Sequence, residues 1–133
     1  MMQSEVTMNR ERVLKVVLVL VGLLFLSMIY PMTMILWQRD QSQKTDAMML
    51  SLYVTLGILL LMAVRNPSAN RSLIAFAAWS SFAHATVMVI QAFQHADDRG
   101  LLLGSAILVV IGVPLIVLAP AKQSVERVLP AGA

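Results

Sequence analysis

The sequence predicts an all-α polytopic membrane protein, an antiparallel four-helix transmembrane bundle with both termini inside. Three observations lead there. Apolar segments cover residues 13–37, 47–64, 73–93 and 101–119, each 18–25 residues long, and a helix needs about 20 apolar residues to cross the hydrocarbon of a bilayer. Hydrophobic residues make up 59% of the 133-residue chain and charged residues only 13%, against about 25% charged in ordinary soluble domains. The intervening connections are short, so sequential helices are expected to lie side by side and antiparallel. A polar tail over 1–12 precedes the bundle and a cytoplasmic tail over 120–133 follows it.

Charge placement sets the expected orientation. Arg10, Arg12, Lys15, Arg65, Arg71, Lys122 and Arg127 fall on one side, while Arg39, Lys44 and Arg99 fall on the other. Lys and Arg accumulate on the cytoplasmic side, so loops 38–46 and 94–100 are expected outside. The net charge of +3 therefore reports topology. No basic groove with interleaved aromatics accompanies it, which argues against nucleic acid. The chain has no cysteine, which excludes disulfides, thiolate metal sites, iron–sulfur clusters and covalently attached c-type haem.

The first segment reads as a retained helix and not a signal peptide, being too long and lacking a small-residue cleavage site. Lys15 lies near its start, where an ammonium reaches the headgroups. Pro31 predicts a kink near its end. The second segment stops at Arg65-Asn66-Pro67, because proline disfavours helix at the residue before it. Ser68 or Asn70 is expected to cap the third. Arg65 and Arg71 flank this turn as topology anchors or as a lipid-headgroup site. On the fourth segment, Gly104 and Gly112 share one face with Leu108, a weak signal for close helix approach or dimerisation, and Pro114 predicts a second kink.

The third segment carries the most informative pattern. Ala77, Ser81, His84, Met88, Gln91 and His95 follow a 4-3-4-3-4 spacing and are expected on one bundle-facing stripe. Hydrocarbon offers no partner for imidazole or amide. His95 should lie at the outer interface, and His84 about 16 Å deeper, near the membrane centre. Tyr30, Met32, Thr33, Met34 and Trp37 from the first segment converge on the same outer half, with Met48, Met49, Ser51 and Tyr53 from the second. The expected ligand site is an outward pocket with His84 at its floor and Met88, Gln91, Ser81, Tyr30, Tyr53 and His95 around it. The plainer alternative is interhelical hydrogen bonding by the same side chains.

No catalytic residue emerges, since Ser80, Ser81 and Ser105 lack the order and turn of a nucleophilic triad. No intramembrane carboxylate supports proton-coupled export. The ten methionines suit copper, but several lie in the tail and none clusters at a loop. Both histidines stand on one helix, so one chain cannot ligate haem twice at one depth. A quinone beside His84 and the tyrosines is a softer alternative. No cofactor or metal site is assigned.

The stretches Tyr30-Pro31-Met32 to Trp37, Met48-Met49-Leu50-Ser51-Leu52-Tyr53, and Arg65-Asn66-Pro67 through Arg71-Ser72-Leu73-Ile74 to Trp79-Ser80-Ser81 and His84 resemble a family of small uncharacterised bacterial inner-membrane proteins with four helices. The resemblance covers about residues 10–119. It implies a bacterial inner membrane and four spans, and it implies no activity. Three functional readings stay open. One is a non-enzymatic accessory or oligomer-forming protein, whose partners are the bilayer and itself or another membrane protein. The others are a small-ligand or ion-handling protein using the pocket above His84, and a redox protein binding haem, copper or quinone.

Overall fold

A computed structural model describes residues 2–39 and 41–120. Five helices of ten or more residues make up almost all of it: α1 (Met2–Leu26), α2 (Ile29–Gln38), α3 (Lys44–Ala63), α4 (Arg71–Gln94) and α5 (Gly100–Leu118). Single 3-10 turns at Gln41–Gln43 and Ala96–Asp98 lead into α3 and α5. With α1 and α2 taken together, four spans are long and apolar enough to cross a membrane. The cytoplasmic tail expected over 120–133 lies, beyond its first residue, outside the described residues.

Two boundaries differ from the sequence expectation. The polar stretch before residue 13 is helical from Met2 onward, so α1 runs about three turns beyond its apolar part. Lys15 reaches back one turn to Glu11 at 2.8 Å, an exposed pair worth a few tenths of a kcal/mol. The first segment also breaks, at Ser27 and Met28, four residues before Pro31. Proline acts on the carbonyl four residues upstream, which loses its donor and meets the ring. That carbonyl belongs to Ser27, and Tyr30 N–H bonds to it instead at 3.1 Å. The break is thus the consequence of Pro31, displaced by one turn.

α2 ends on Arg39, whose φ of 53° lies in the left-handed region. Glycine is the usual residue there, because a Cβ costs about 1–2 kcal/mol. Arg39→Gly is expected to raise the thermal unfolding temperature of the detergent-solubilised protein. At the next turn, Asn70 occupies the position before α4 without capping it. Its amide instead donates to the Asn66 carbonyl at 2.9 Å, and the Asn66 side chain accepts the Ala69 N–H at 3.2 Å. The turn is tied to itself, and Ser68 does not cap α4 either.

The packing order departs from the side-by-side expectation at one of the three sequential pairs. α4 packs along α5 and α1 along α3, α2 continues down α3, and α3 and α4 barely touch although one short turn joins them. The core therefore gathers unevenly. Leu14 and Leu18 of α1, Leu60 of α3, Ile74 and Ala77 of α4, and Leu115 of α5 form one nearly inaccessible cluster. These residues lie at the middle of α1, where its apolar part begins, near the start of α4 and near the end of α3 and α5, so one end of the apolar bundle is sealed.

Glycines set both close helix pairs. A methyl group on Gly57 would stand 2.7 Å from the Leu26 nitrogen and 2.8 Å from the Gly22 oxygen, so α1 and α3 meet backbone to backbone. On α5, Gly104 lies under Met88 and Gly112 under the Phe82 ring. The glycine face read as a weak dimerisation signal is therefore filled from within the chain, by α4.

Arg10 ties α1 to the end of α5. Its guanidinium donates to the Val117 carbonyl at 2.8 Å and the Ala119 carbonyl at 3.4 Å. The last carbonyls of a helix lack intrahelical donors and carry the negative end of its dipole, and a guanidinium answers both. Arg10→Ala is expected to cost about 0.5–1.5 kcal/mol, with Arg10→Lys in between, read from unfolding in mild detergent.

Candidate functional site

The gap between α3 and α4 forms a cleft of about 490 Å³. Its walls are Met49, Leu52, Tyr53, Leu56 and Leu59 from α3 and Leu73, Phe76, Ala83, His84 and Val87 from α4. Leu52 and Phe76 are 71% and 62% exposed, so the cleft opens sideways. A second cavity of about 260 Å³, the inner cavity, lies among α1, α3, α4 and α5, lined by Leu24, Phe25, Met88 and Gly104 among others, and it too opens to the surface, past Leu24 and Ile107, which are 40% and 46% exposed. Met49, Tyr53 and His84 line both cavities and stand between them.

A ladder of rings holds this partition. Phe25 of α1 meets Tyr53 of α3 edge to face, with centroids 5.0 Å apart, and Tyr53 meets His84 of α4 the same way at 5.5 Å. Such pairs contribute about 0.5–1.5 kcal/mol beyond burial. The ladder brings α4 to α3 at a level where little else does. Tyr53 is near the middle of Lys44–Ala63 and His84 near the middle of Arg71–Gln94. At about 1.5 Å per residue both lie roughly 14–20 Å from either end of their helices.

Polar groups in the cleft divide into two kinds. The Thr55 and Ser80 hydroxyls are spent on carbonyls of their own helices, at Ser51 and Ala77. The Tyr53 hydroxyl and the His84 ring have no hydrogen-bond partner among the described residues. Neither is a sealed, unsatisfied atom, because each meets a cavity. A phenol and an imidazole midway along apolar helices, each with a free donor, gain most from a molecule that accepts hydrogen bonds.

The remaining residues of the expected site separate. Met88 lines the inner cavity with His84. Ser81 is fully buried, and its hydroxyl donates to the Ala77 carbonyl at 2.7 Å. Gln91 and His95 are exposed, and Ala92 takes the buried place on that turn. Tyr30 is 68% exposed on α2, away from the cleft. Met32, Met48 and Ser51 line a separate groove between α2 and α3, beside Arg39 and Lys44. Arg65 is exposed and Arg71 begins α4. Sequence reasoning missed Phe25 and the lateral opening. The only signal for Phe25 is its place in the buried series Leu14, Leu18, Val21, Phe25.

A family model described as a family of unknown function (DUF6632) matches residues 9–128. The chain belongs to this family. No curated protein and no solved structure matches it. The match on this DUF6632 chain runs from Asn9, so it includes Arg10 and every residue lining the cleft and inner cavity. The family lends membership and no activity, so function rests on the site itself.

Proposed function

We propose that this DUF6632 protein is a non-enzymatic protein of the bacterial inner membrane that holds a small amphiphilic molecule taken from the bilayer in the α3–α4 cleft. The observation that carries the reading is the Tyr53–His84 pair, two polar groups without protein partners at mid-depth on the wall of an apolar cleft open to the side. Clefts of about 300–1,000 Å³ with a few convergent polar groups are the usual form of ligand sites. The entrance is lateral, in place of the outward mouth expected from the sequence.

The proposed topology is an antiparallel four-helix bundle with both termini cytoplasmic. Arg10 meeting the end of α5 supports termini on one side. Gly104 facing Met88 while Gly112 faces Phe82 supports an antiparallel α4–α5 pair. The Lys and Arg asymmetry supports the cytoplasmic assignment. An impermeant thiol reagent applied to intact cells is expected to label Ser42→Cys and leave Ser68→Cys unlabelled, and the absence of native cysteine gives a clean background. The reverse pattern overturns the orientation.

Ligand holding is tested by stability. A molecule that binds only the folded state raises the unfolding temperature by mass action. Delipidated protein is expected to regain stability on adding a total membrane lipid extract. The double variant Tyr53→Phe, His84→Leu is expected to regain less. Equal recovery in both proteins overturns the reading.

An accessory-subunit role is a second reading, favoured by the three exposed turns at the start of α1, over residues 2–12. Removing residues 2–9 is expected to abolish capture of a partner under that reading, and to leave the lipid-extract response intact under the first.

A further inference from the structure

The two cavities meeting at Tyr53 and His84 carry the ligand reading one step further. We propose that the bound molecule is a lipid-soluble quinone, with its flat head in the inner cavity and its alkyl or prenyl tail in the α3–α4 cleft. This rests on the reading of the cleft as a ligand site and names the class of its ligand.

Three observations select the class. First, size and shape: the inner cavity holds about 260 Å³, and a cavity of about 150 Å³ accommodates benzene, so a substituted ring fits. The cleft beyond is mostly apolar and opens sideways, which suits a hydrocarbon tail still in contact with lipid. Second, the cavity wall: Met28, Met49 and Met88 present three thioethers, and Phe25 and Tyr53 present rings. Thioethers and aromatic faces favour a flat conjugated ring over a saturated one. Third, hydrogen bonding: a phenol always offers one O–H, and an imidazole in any protonation state offers at least one N–H. Two donors at the junction of the cavities match carbonyl oxygens on a ring. Ser80 and Thr55, the other polar side chains in the cleft, already donate to carbonyls of their own helices, so a ligand carbonyl has no other side-chain hydroxyl donor to meet there. The inference concerns binding only.

The test uses the full chain in lipid nanodiscs and a benzoquinone bearing a ten-carbon alkyl chain and a photoactivatable azide on the ring. Saturable labelling is expected on peptides containing Met28, Met49 or Met88. It is expected to be displaced by the same quinone without the azide, and not by decanol, which has the tail alone. Tyr53→Phe keeps the ring ladder and removes only the hydroxyl, and is expected to weaken binding about tenfold. His84→Leu is expected to do the same, and Ile107→Phe, which fills the inner cavity, to abolish labelling. Labelling that decanol displaces equally, that never saturates, or that ignores Tyr53→Phe and Ile107→Phe overturns the quinone assignment. Failure of this class alone is recognisable: the lipid-extract stabilisation survives and still depends on Tyr53 and His84. If that stabilisation is missing as well, the cleft is not a ligand site.

Discussion

Gly57→Leu is expected to abolish the folded bundle, and Gly57→Ala to destabilise it by about 1–3 kcal/mol. Nothing soft surrounds this position. An added Cβ would meet the Leu26 nitrogen at 2.7 Å and the Gly22 oxygen at 2.8 Å, both backbone atoms, with the Phe25 Cβ at 3.1 Å. A methyl group therefore moves one whole helix away from the other. Helix association within a bilayer draws on close packing in place of water exclusion, so the separation removes the force that holds the pair. It also displaces Phe25, the first ring of the ladder. Gly22→Ala provides the graded comparison, because its added methyl meets the Leu61 side chain, Cγ at 2.8 Å and Cδ2 at 2.9 Å, and backbone only at 3.1 Å. The smaller loss is expected there. Reversible unfolding in mixed micelles measures both, and equal losses, or a larger one at Gly22, contradict the backbone contact.

Leu60→Ala is expected to cost about 2–5 kcal/mol. Leu60 is fully inaccessible and packs in the cluster that seals one end of the bundle, with Leu18, Ile74 and Leu115. Removing its side chain leaves a cavity that α3 and the three helices packed into this cluster, α1, α4 and α5, cannot close without moving together. Leu52→Ala, on the cleft rim at 71% exposure, exchanges side chain for lipid and is expected to change stability by less than about 0.5 kcal/mol. The same unfolding assay reads both. This contrast places stability at the sealed end and leaves the cleft region free to accept a guest. Similar losses at Leu52 and Leu60 contradict that division.

Hydropathy made the four spans legible, because composition decides which segments tolerate hydrocarbon. Finer features depended on information that one helix does not carry. On α4 two seams overlap. The expected one runs through Ala77, Ser81, His84, Met88, Gln91 and His95. The buried one runs through Ile74, Ala77, Ala78, Ser81, Ala85 and Ala92, with Met88 partly buried beside it. They share Ala77 and Ser81, with Met88 partly buried, and α5 decides between them by offering its glycines to α4. His84 consequently turns toward Tyr53 and the cleft, while Gln91 and His95 face outward. Pro31 signalled a kink, but its effect fell on Ser27, where the carbonyl lost its donor. Gly22 and Gly57 are separated by 35 positions in the sequence and gave no local pattern, though a lone glycine inside a bulky apolar helix is itself a signal of close approach. Arg10 was legible as a charge and not as a cap for a helix more than a hundred residues away. Within the site, Tyr53, His84 and Met88 were expected together and lie together. Tyr30 was expected beside them, and the Ser27–Met28 break sends it elsewhere.

Native mass spectrometry of the full chain released from its own membrane without harsh detergent tests the central claim most directly. The account predicts a discrete non-phospholipid adduct on the wild-type protein, at one molecule per chain, that is lost in the Tyr53→Phe, His84→Leu variant while the protein remains folded. A bare chain, or an adduct retained by that variant, would contradict it.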